Sequence, residues 1–202
     1  MRRIFLLSPA SCSGERARLV LKERASFDLA RRVHGTGAPL GEVFSFLSGL
    51  YFRGKLTYAT RFAQPPRGVP GVLVITPTRG LLLPEQPIDI GLVREFAAVD
   101  VHPINPRYRT PLERDAAVLR AHLGRRCDVV LLGSVATGRY VDVLAPSFGE
   151  RLRFPATFVG RGDMSRGGLL LRCARTGSEL DYVPVAGAVR HGPRPPRLPP
   201  TR

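Results

Sequence analysis

Short apolar runs alternate along the chain with longer stretches of helical periodicity. Residues 3–7, 72–75 and 129–132 form runs that are almost wholly apolar, which is typical of strands buried on both faces of a sheet. Helical spacing of apolar residues continues through residues 40–62 with an interruption at Ser48-Gly49. Thr110 followed by Pro111 predicts the cap and first residue of another helix. That helix is predicted over residues 111–123, and the remaining helices over residues 15–21, 27–33, 92–99 and 138–145. A short strand is predicted near residues 152–154.

Strands that alternate with helices predict an α/β fold with a mostly parallel central sheet and helices on both faces, in three layers. We expect one such domain over residues 1–189. The last 13 residues contain five prolines and four arginines. Proline breaks helices and central strands, so residues 190–202 are predicted to be an extended or disordered basic tail.

The charge of the chain is far from zero and unevenly distributed. The sequence has 31 basic and 16 acidic residues, a net charge of +15. Residues 1–63 carry 11 basic and 4 acidic side chains (+7), residues 64–150 carry 10 and 9 (+1), and residues 151–202 carry 10 and 3 (+7). This excess predicts a polyanionic partner, with DNA favoured and RNA an alternative. No apolar run has the ~18 residues of a membrane span, and we expect a cytoplasmic monomer.

Polar loops follow three of the predicted strands. In parallel sheets the ligand crevice lies beyond the carboxyl ends of the strands, so these loops are expected to converge on one site. The loop residues predicted to bind a base or phosphate are Ser11, Ser13, Arg16, Thr76, Thr78, Arg79 and Ser134. Glu15 is a candidate catalytic carboxylate in the first loop. The alternative for this loop is ordinary capping of the next helix by Ser13.

Residues 160–168 have the most unusual local composition, with four glycines, two arginines and Asp163 between them. A carboxylate flanked by guanidinium groups is suited to stabilise a cationic sugar or to orient water, so Asp163 is the first candidate for catalysis. Arg161, Ser165 and Arg166 are predicted to bind base or phosphate. The alternative is a tight loop in which Asp163 caps a helix and pairs with an arginine.

The sequence argues against several other kinds of site. Three cysteines without a C-x-x-C pair indicate neither a disulfide framework nor a zinc site. The four histidines lack metal-ligand spacing, and none is tied by pattern to Cys12, so a Cys–His enzyme is not favoured. The loop that contains Cys12 matches neither common nucleotide-binding glycine motif, and no cofactor or metal is expected.

Three segments carry a family resemblance. They are the apolar strand ending in the Ser/Cys loop, residues 48–59 (SGLYFRGKLTYA) and residues 75–84 (ITPTRGLLLP). In this order they resemble the uracil-DNA-glycosylase-like domains of archaeal tRNA-guanine transglycosylase and archaeosine synthase, and related stand-alone domains of unknown function. The resemblance covers about residues 3–150 and leaves residues 160–168 outside. It implies a uracil-DNA-glycosylase-like fold and work on modified nucleobases in nucleic acid.

These observations together predict a DNA glycosylase that flips a modified base and hydrolyses its N-glycosidic bond to leave an abasic site, in repair or in defence against phage. The residues predicted to contact the nucleic-acid backbone are Arg53, Lys55, Arg190, Arg194 and Arg197. Two alternatives remain open: a non-catalytic module that binds tRNA or DNA, and a transferase of a base or deoxyribosyl group.

Overall fold

The structure, a computed structural model, describes residues 1–124 and 126–196. Arg197 and the rest of the predicted tail beyond it lie outside these residues. The helices are α1 (Glu15–Leu21), α2 (Asp28–His34), α3 (Leu40–Ser48), α4 (Leu50–Phe62), α5 (Ile90–Ala97), α6 (Pro106–His122), α7 (Val141–Phe148) and α8 (Asp163–Thr176). The strands are β1 (Arg2–Leu7), β2 (Ala38–Pro39), β3 (Val72–Ile75), β4 (Leu81–Leu82), β5 (Pro87–Ile88), β6 (Cys127–Leu132), β7 (Leu152–Pro155) and β8 (Tyr182–Pro184).

The central sheet has six strands in the order β4-β3-β1-β6-β7-β8. The four inner strands are parallel, and β4 and β8 pair antiparallel at the edges. β2 and β5 form a separate two-stranded antiparallel pair. The chain adds β3 on one side of β1 and then crosses to add β6 on the other, so its connections diverge between β1 and β6. The predicted mostly parallel α/β sheet is confirmed.

Alternate residues of the inner strands face two separate cores. Phe5 and Leu7 of β1 belong to a cluster with α1–α5 and α8, whereas Ile4 and Leu6 belong to a cluster with α6 and α7. All four side chains are fully buried. Helices therefore cover both faces of the sheet, which explains why residues 4–7, 72–75 and 129–132 of the inner strands are apolar at every position.

The helix break predicted at Ser48-Gly49 separates α3 from α4. Gly49 has a φ of 60°, a left-handed conformation that a side chain would strain. The predicted start of α6 was wrong. The helix begins five residues earlier, with Pro106 as its first residue and the side chain of Asn105 accepting from the Arg107 amide at 3.1 Å. Pro111 lies inside the helix, because the asparagine cap with an adjacent proline already satisfies the start.

Candidate functional site

A pocket lies beyond the carboxyl ends of β1 and β6, where the chain connections diverge. Leu7 and Leu132 are in register at the ends of these strands, and the Ser8 amide donates to the Leu132 carbonyl at 3.1 Å. A Cβ on Gly133 would lie 2.9 Å from the Ser8 Cβ, so glycine lets the two loops approach. Ligand sites in parallel α/β sheets favour this position. We call it the strand-end pocket.

The strand-end pocket has a volume of about 560 Å³, within the range of small-molecule sites. Its walls combine hydroxyl groups, two carboxylates and two arginines with one apolar side. The hydroxyl-bearing residues are Ser8, Ser11, Ser13, Ser48, Tyr51, Ser134, Thr137 and Tyr140. The charged residues are Asp100, Arg139, Asp163 and Arg166, and the apolar side includes Phe96, Val99 and Val101.

The first loop contributes Ser11 and Ser13 to the pocket, with their hydroxyls 3.3 Å apart. Ser13 is not a helix cap, since Gly14 occupies the cap position of α1 without a side-chain bond. Glu15 is exposed on the first turn of α1 and does not line the pocket. Cys12 is buried, and burial raises its pKa to about 12, so the reactive thiolate is not populated at neutral pH.

Arg16 serves a structural purpose. Its guanidinium donates to the Phe46 carbonyl at 3.1 Å and lies against Gly49, where a Cβ would meet its Nη1 at 2.6 Å. Arg16 therefore bridges α1 to the junction of α3 and α4 instead of pointing into the pocket.

Asp163 and Arg166 bring the start of α8 to the pocket. Arg166 is buried and donates to the Phe158 carbonyl from Nε at 3.2 Å and from Nη2 at 3.0 Å. Its Nη1 lies 3.5 Å from the Asp163 carboxylate, whose side chain is 70% exposed at the rim. Two fixed N–H groups hold the guanidinium in place, so Arg166 positions the Asp163 carboxylate.

Tyr51 supplies a buried hydroxyl to the pocket. It lies in the first turn of α4, and its hydroxyl makes no hydrogen bond of normal geometry with the described residues, although the Arg166 guanidinium lies close enough to offset part of the rise in its pKa. Burial raises the pKa of this hydroxyl well above its ordinary value, so it remains protonated. A buried hydroxyl without a partner is costly, and a ligand in the pocket would satisfy it.

Lys55 lies beneath the first loop and is fully buried. Its Nζ donates to the Ser8 carbonyl at 2.6 Å and to the Ser8 hydroxyl at 2.8 Å, and lies 4.5 Å from the centre of the Tyr51 ring. Burial lowers the pKa of Lys55 to about 7. The prediction that Lys55 contacts a nucleic-acid backbone was wrong, because helical packing turns this side chain into the core.

The polar residues after β3 do not join the pocket. The Thr76 hydroxyl is buried in its own turn, where it donates to the Gly80 carbonyl at 3.0 Å and accepts from the Arg79 amide at 3.0 Å. Thr78 and Arg79 bind the Glu95 carboxylate. The loop itself reaches the pocket through Pro77, but its three predicted polar ligands do not, because β4 turns the chain back antiparallel to β3 and directs these side chains to α5.

Only part of the segment at residues 160–168 lines the pocket, and its other residues make local contacts. Arg161 donates to the Thr157 carbonyl at 3.0 Å and to the Ser165 hydroxyl at 3.2 Å, so these two predicted ligands bind each other. Gly167 faces α4, where a Cβ would lie 2.7 Å from the Leu50 carbonyl oxygen. This glycine therefore permits close helix packing.

Of the residues predicted to contact a backbone, Arg53 and Arg194 are exposed and Arg190 is half-buried. Arg197 lies outside the described residues. Asp100, Arg139 and Tyr140 were missed by sequence reasoning: Asp100 lies in a loop without a motif, and Arg139 and Tyr140 lie in the turn before α7, where the sequence predicted the start of a helix. Ser48 and Tyr51 were also missed; Ser48 lies in the predicted helix break and Tyr51 two residues after it, so the break is the sequence signal that could have indicated them.

The chain matches no protein-family model, no curated protein and no solved structure. Within residues 1–124 and 126–196, no group of three or more histidine, cysteine or carboxylate side chains is arranged to hold a metal ion. No helix in the described part of the chain is long and apolar enough to cross a membrane.

Proposed function

We propose that the protein hydrolyses the N-glycosidic bond of a modified base in DNA, with the base flipped into the strand-end pocket. The observation that carries this proposal is the Asp163 carboxylate, held by Arg166 at the rim of a hydroxyl-lined pocket. The resemblance to uracil-DNA-glycosylase-like domains and the net charge of +15 support the same class of reaction and partner.

The pocket residues suit the steps of this reaction. When the bond from C1′ to the base nitrogen breaks, positive charge develops on the sugar, and the Asp163 carboxylate stabilises it. The electron pair of the broken bond leaves with the base nitrogen, water adds its hydroxyl to C1′, and the remaining proton of that water goes to the base, which departs neutral. The Tyr51 hydroxyl and the serines of the first loop are the groups available to bind the polar edge of the base.

The experiment measures bases released from a panel of genomic DNAs by mass spectrometry, including hypermodified phage DNA, with RNA as a parallel substrate. Asp163→Asn is expected to lower base release at least about 100-fold while binding is retained. Asp100→Asn tests the second carboxylate of the pocket, and Glu15→Gln, outside the pocket, is the matched control that should keep full release.

Release that is unchanged in Asp163→Asn would remove Asp163 from the mechanism. Nucleic-acid binding without any base released by the wild type would favour the non-catalytic module. Exchange of the bound base with a labelled free base would favour the transferase.

A further inference from the structure

A second site lies outside the strand-end pocket, on the outer surface where α4 and α8 pack side by side. The two helices approach closely, since a Cβ on Gly54 would lie 2.7 Å from the Gly167 carbonyl oxygen. Between them runs a cavity of about 890 Å³, which we call the α4–α8 groove. Its lining residues are Leu50, Thr57, Thr60, Arg61, Gly168, Leu171, Arg172, Ala174 and Arg175.

The charge of these two helices is one-sided. α4 contains Arg53, Lys55 and Arg61 and no acidic residue, and α8 contains three arginines against Asp163 alone. Lys55 and Arg166 are buried and Arg172 is half-buried, whereas Arg53, Arg61 and Arg175 are exposed. Part of the positive charge of each end of the sequence therefore lies on this surface, because α4 belongs to the first segment and α8 to the last.

Three arginines on this surface have no carboxylate partner among the described residues. No ion pair to Arg53, Arg61 or Arg175 is formed within residues 1–124 and 126–196, and Arg61 and Arg175 are both exposed. Glu179, which follows α8, is already bound by Arg3 and by the Tyr182 hydroxyl. Unpaired guanidinium groups beside threonine hydroxyls are suited to phosphate oxygens.

The groove begins next to the strand-end pocket. Leu50 lines the groove and its neighbour Tyr51 lines the pocket. Arg53, Thr57 and Arg61 repeat every fourth residue, so they share one face of α4 and extend about 12 Å along the helix away from Leu50. A strand whose base entered the pocket would have its backbone directed along this row.

We propose that the α4–α8 groove binds the phosphodiester backbone of the nucleic-acid strand whose base occupies the strand-end pocket. This inference rests on the proposed function for the identity of the partner. Arg61 and Arg175 bind phosphates through their guanidinium groups, and the threonine hydroxyls of α4 add hydrogen bonds. The contact carries no sequence information, so it adds affinity for every sequence equally.

The test compares two double variants of the full chain that remove equal charge. Arg61→Gln/Arg175→Gln alters the groove, whereas Arg120→Gln/Arg126→Gln removes two exposed arginines that have no ion pair in the described residues and lie away from the groove, at the end of α6 and the start of β6. Binding of fluorescein-labelled oligonucleotides, single-stranded and duplex, is measured by anisotropy over a series of salt concentrations.

The groove variant is expected to bind about tenfold more weakly, with the slope of log K against log salt reduced by about 1.5. The control should lose about twofold or less. Equal losses in both variants would overturn the groove, as would binding of the wild type to anionic vesicles or polyglutamate but not to oligonucleotides. A lower melting temperature without weaker binding would assign these arginines to the helix ends alone.

Base release, measured on the same proteins, separates this inference from the proposed function. If the wild type releases no base but the groove variant still binds more weakly than the control, the groove proposal is supported and the hydrolase proposal is contradicted. If the wild type releases base, and both release and binding are unchanged in the groove variant, the hydrolase proposal is supported and the groove proposal is contradicted.

Discussion

Two arginine-bearing surfaces of this protein differ in what their cations contact. On the surface between α5 and α6, Arg79 pairs with Glu95, Arg109 with Glu113 and Arg114 with Asp115. In the α4–α8 groove, Arg61 and Arg175 have no such partner among the described residues. Both surfaces contain exposed arginines and a cavity, so composition alone does not separate them.

The difference shows that pairing with carboxylates decides where the net positive charge of the chain acts at the surface. An arginine bound to a carboxylate contributes little to the field that a phosphate meets, whereas an unpaired one contributes its full charge. The surface between α5 and α6 is therefore largely neutralised by its own carboxylates, although Arg107 has no ion pair among the described residues, whereas the α4–α8 groove presents Arg61 and Arg175 unpaired. Three changes would break or sharpen this comparison, in order of decreasing effect.

The largest effect is expected from Gly167→Ala, which separates α8 from α4. The new Cβ would lie 2.7 Å from the Leu50 carbonyl oxygen and 2.8 Å from the Tyr51 Cα, so overpacking should lower the free energy of unfolding by about 2 kcal/mol. The matched control is Gly91→Ala on the exposed face of α5, where the new Cβ would meet only the Asp89 carboxylate, at 3.3 Å, so the change should stay within about 1 kcal/mol. In chemical denaturation a clearly larger loss is expected for Gly167→Ala, and equal changes would contradict the packing.

A second effect concerns the buried cation of α4, which should respond to pH. In the folded protein the pKa of Lys55 is about 7, whereas in the unfolded chain it is about 10.5. Burial is the main cause of the decrease, and the positive charge of Arg166 adds to it. The negative charge of Asp163 acts in the opposite direction but is outweighed. Between these values the unfolded state binds more protons, so the free energy of unfolding rises with pH, by up to about 1.4 kcal/mol per unit. Below about pH 7 this slope disappears.

Lys55→Met should abolish that slope, as measured by denaturation at a series of pH values from 6 to 10. Lys22→Met, which alters the only other lysine and an exposed one, is the control and should leave the slope unchanged. A wild-type slope that persists in Lys55→Met would assign the titration to another group.

The smallest effect is expected from Glu95→Gln on the α5–α6 surface. Its hydrogen bonds with Thr78 and Arg79 lower the pKa of Glu95, so this stabilisation is present at neutral pH and is lost as the pH falls through that lowered value. The cost at pH 7 should be below about 1 kcal/mol, since the pair is partly exposed. Freed from its partner, Arg79 should strengthen oligonucleotide binding up to about twofold. No gain at all would mean that position, and not pairing, separates the two surfaces.

The four inner strands, the helix break and most helices could be predicted from local pattern, because burial on both faces leaves a continuous apolar run and a positive φ favours glycine. The short strands β2, β4, β5 and β8 carry too few residues for such a pattern and were missed. The pocket was predicted only in part. Ser11, Ser13, Ser134, Asp163 and Arg166 meet there, as their positions at strand ends or in a glycine-rich loop suggested. Thr76, Thr78 and Arg79 do not, because hydrogen bonding within the turn and with Glu95 takes up their polar groups.

By itself the sequence determined the layered α/β arrangement and the charge carried by each segment, since both depend on residue type and spacing. Only the tertiary structure decided the fate of individual cations. Lys55 is buried in the core, and Arg16 bridges a helix junction. Arg79 pairs with the Glu95 carboxylate, and Arg61 and Arg175 line the same groove. The reason is physical: whether a charge is buried, paired or open depends on side chains distant in sequence that packing brings within a few ångströms.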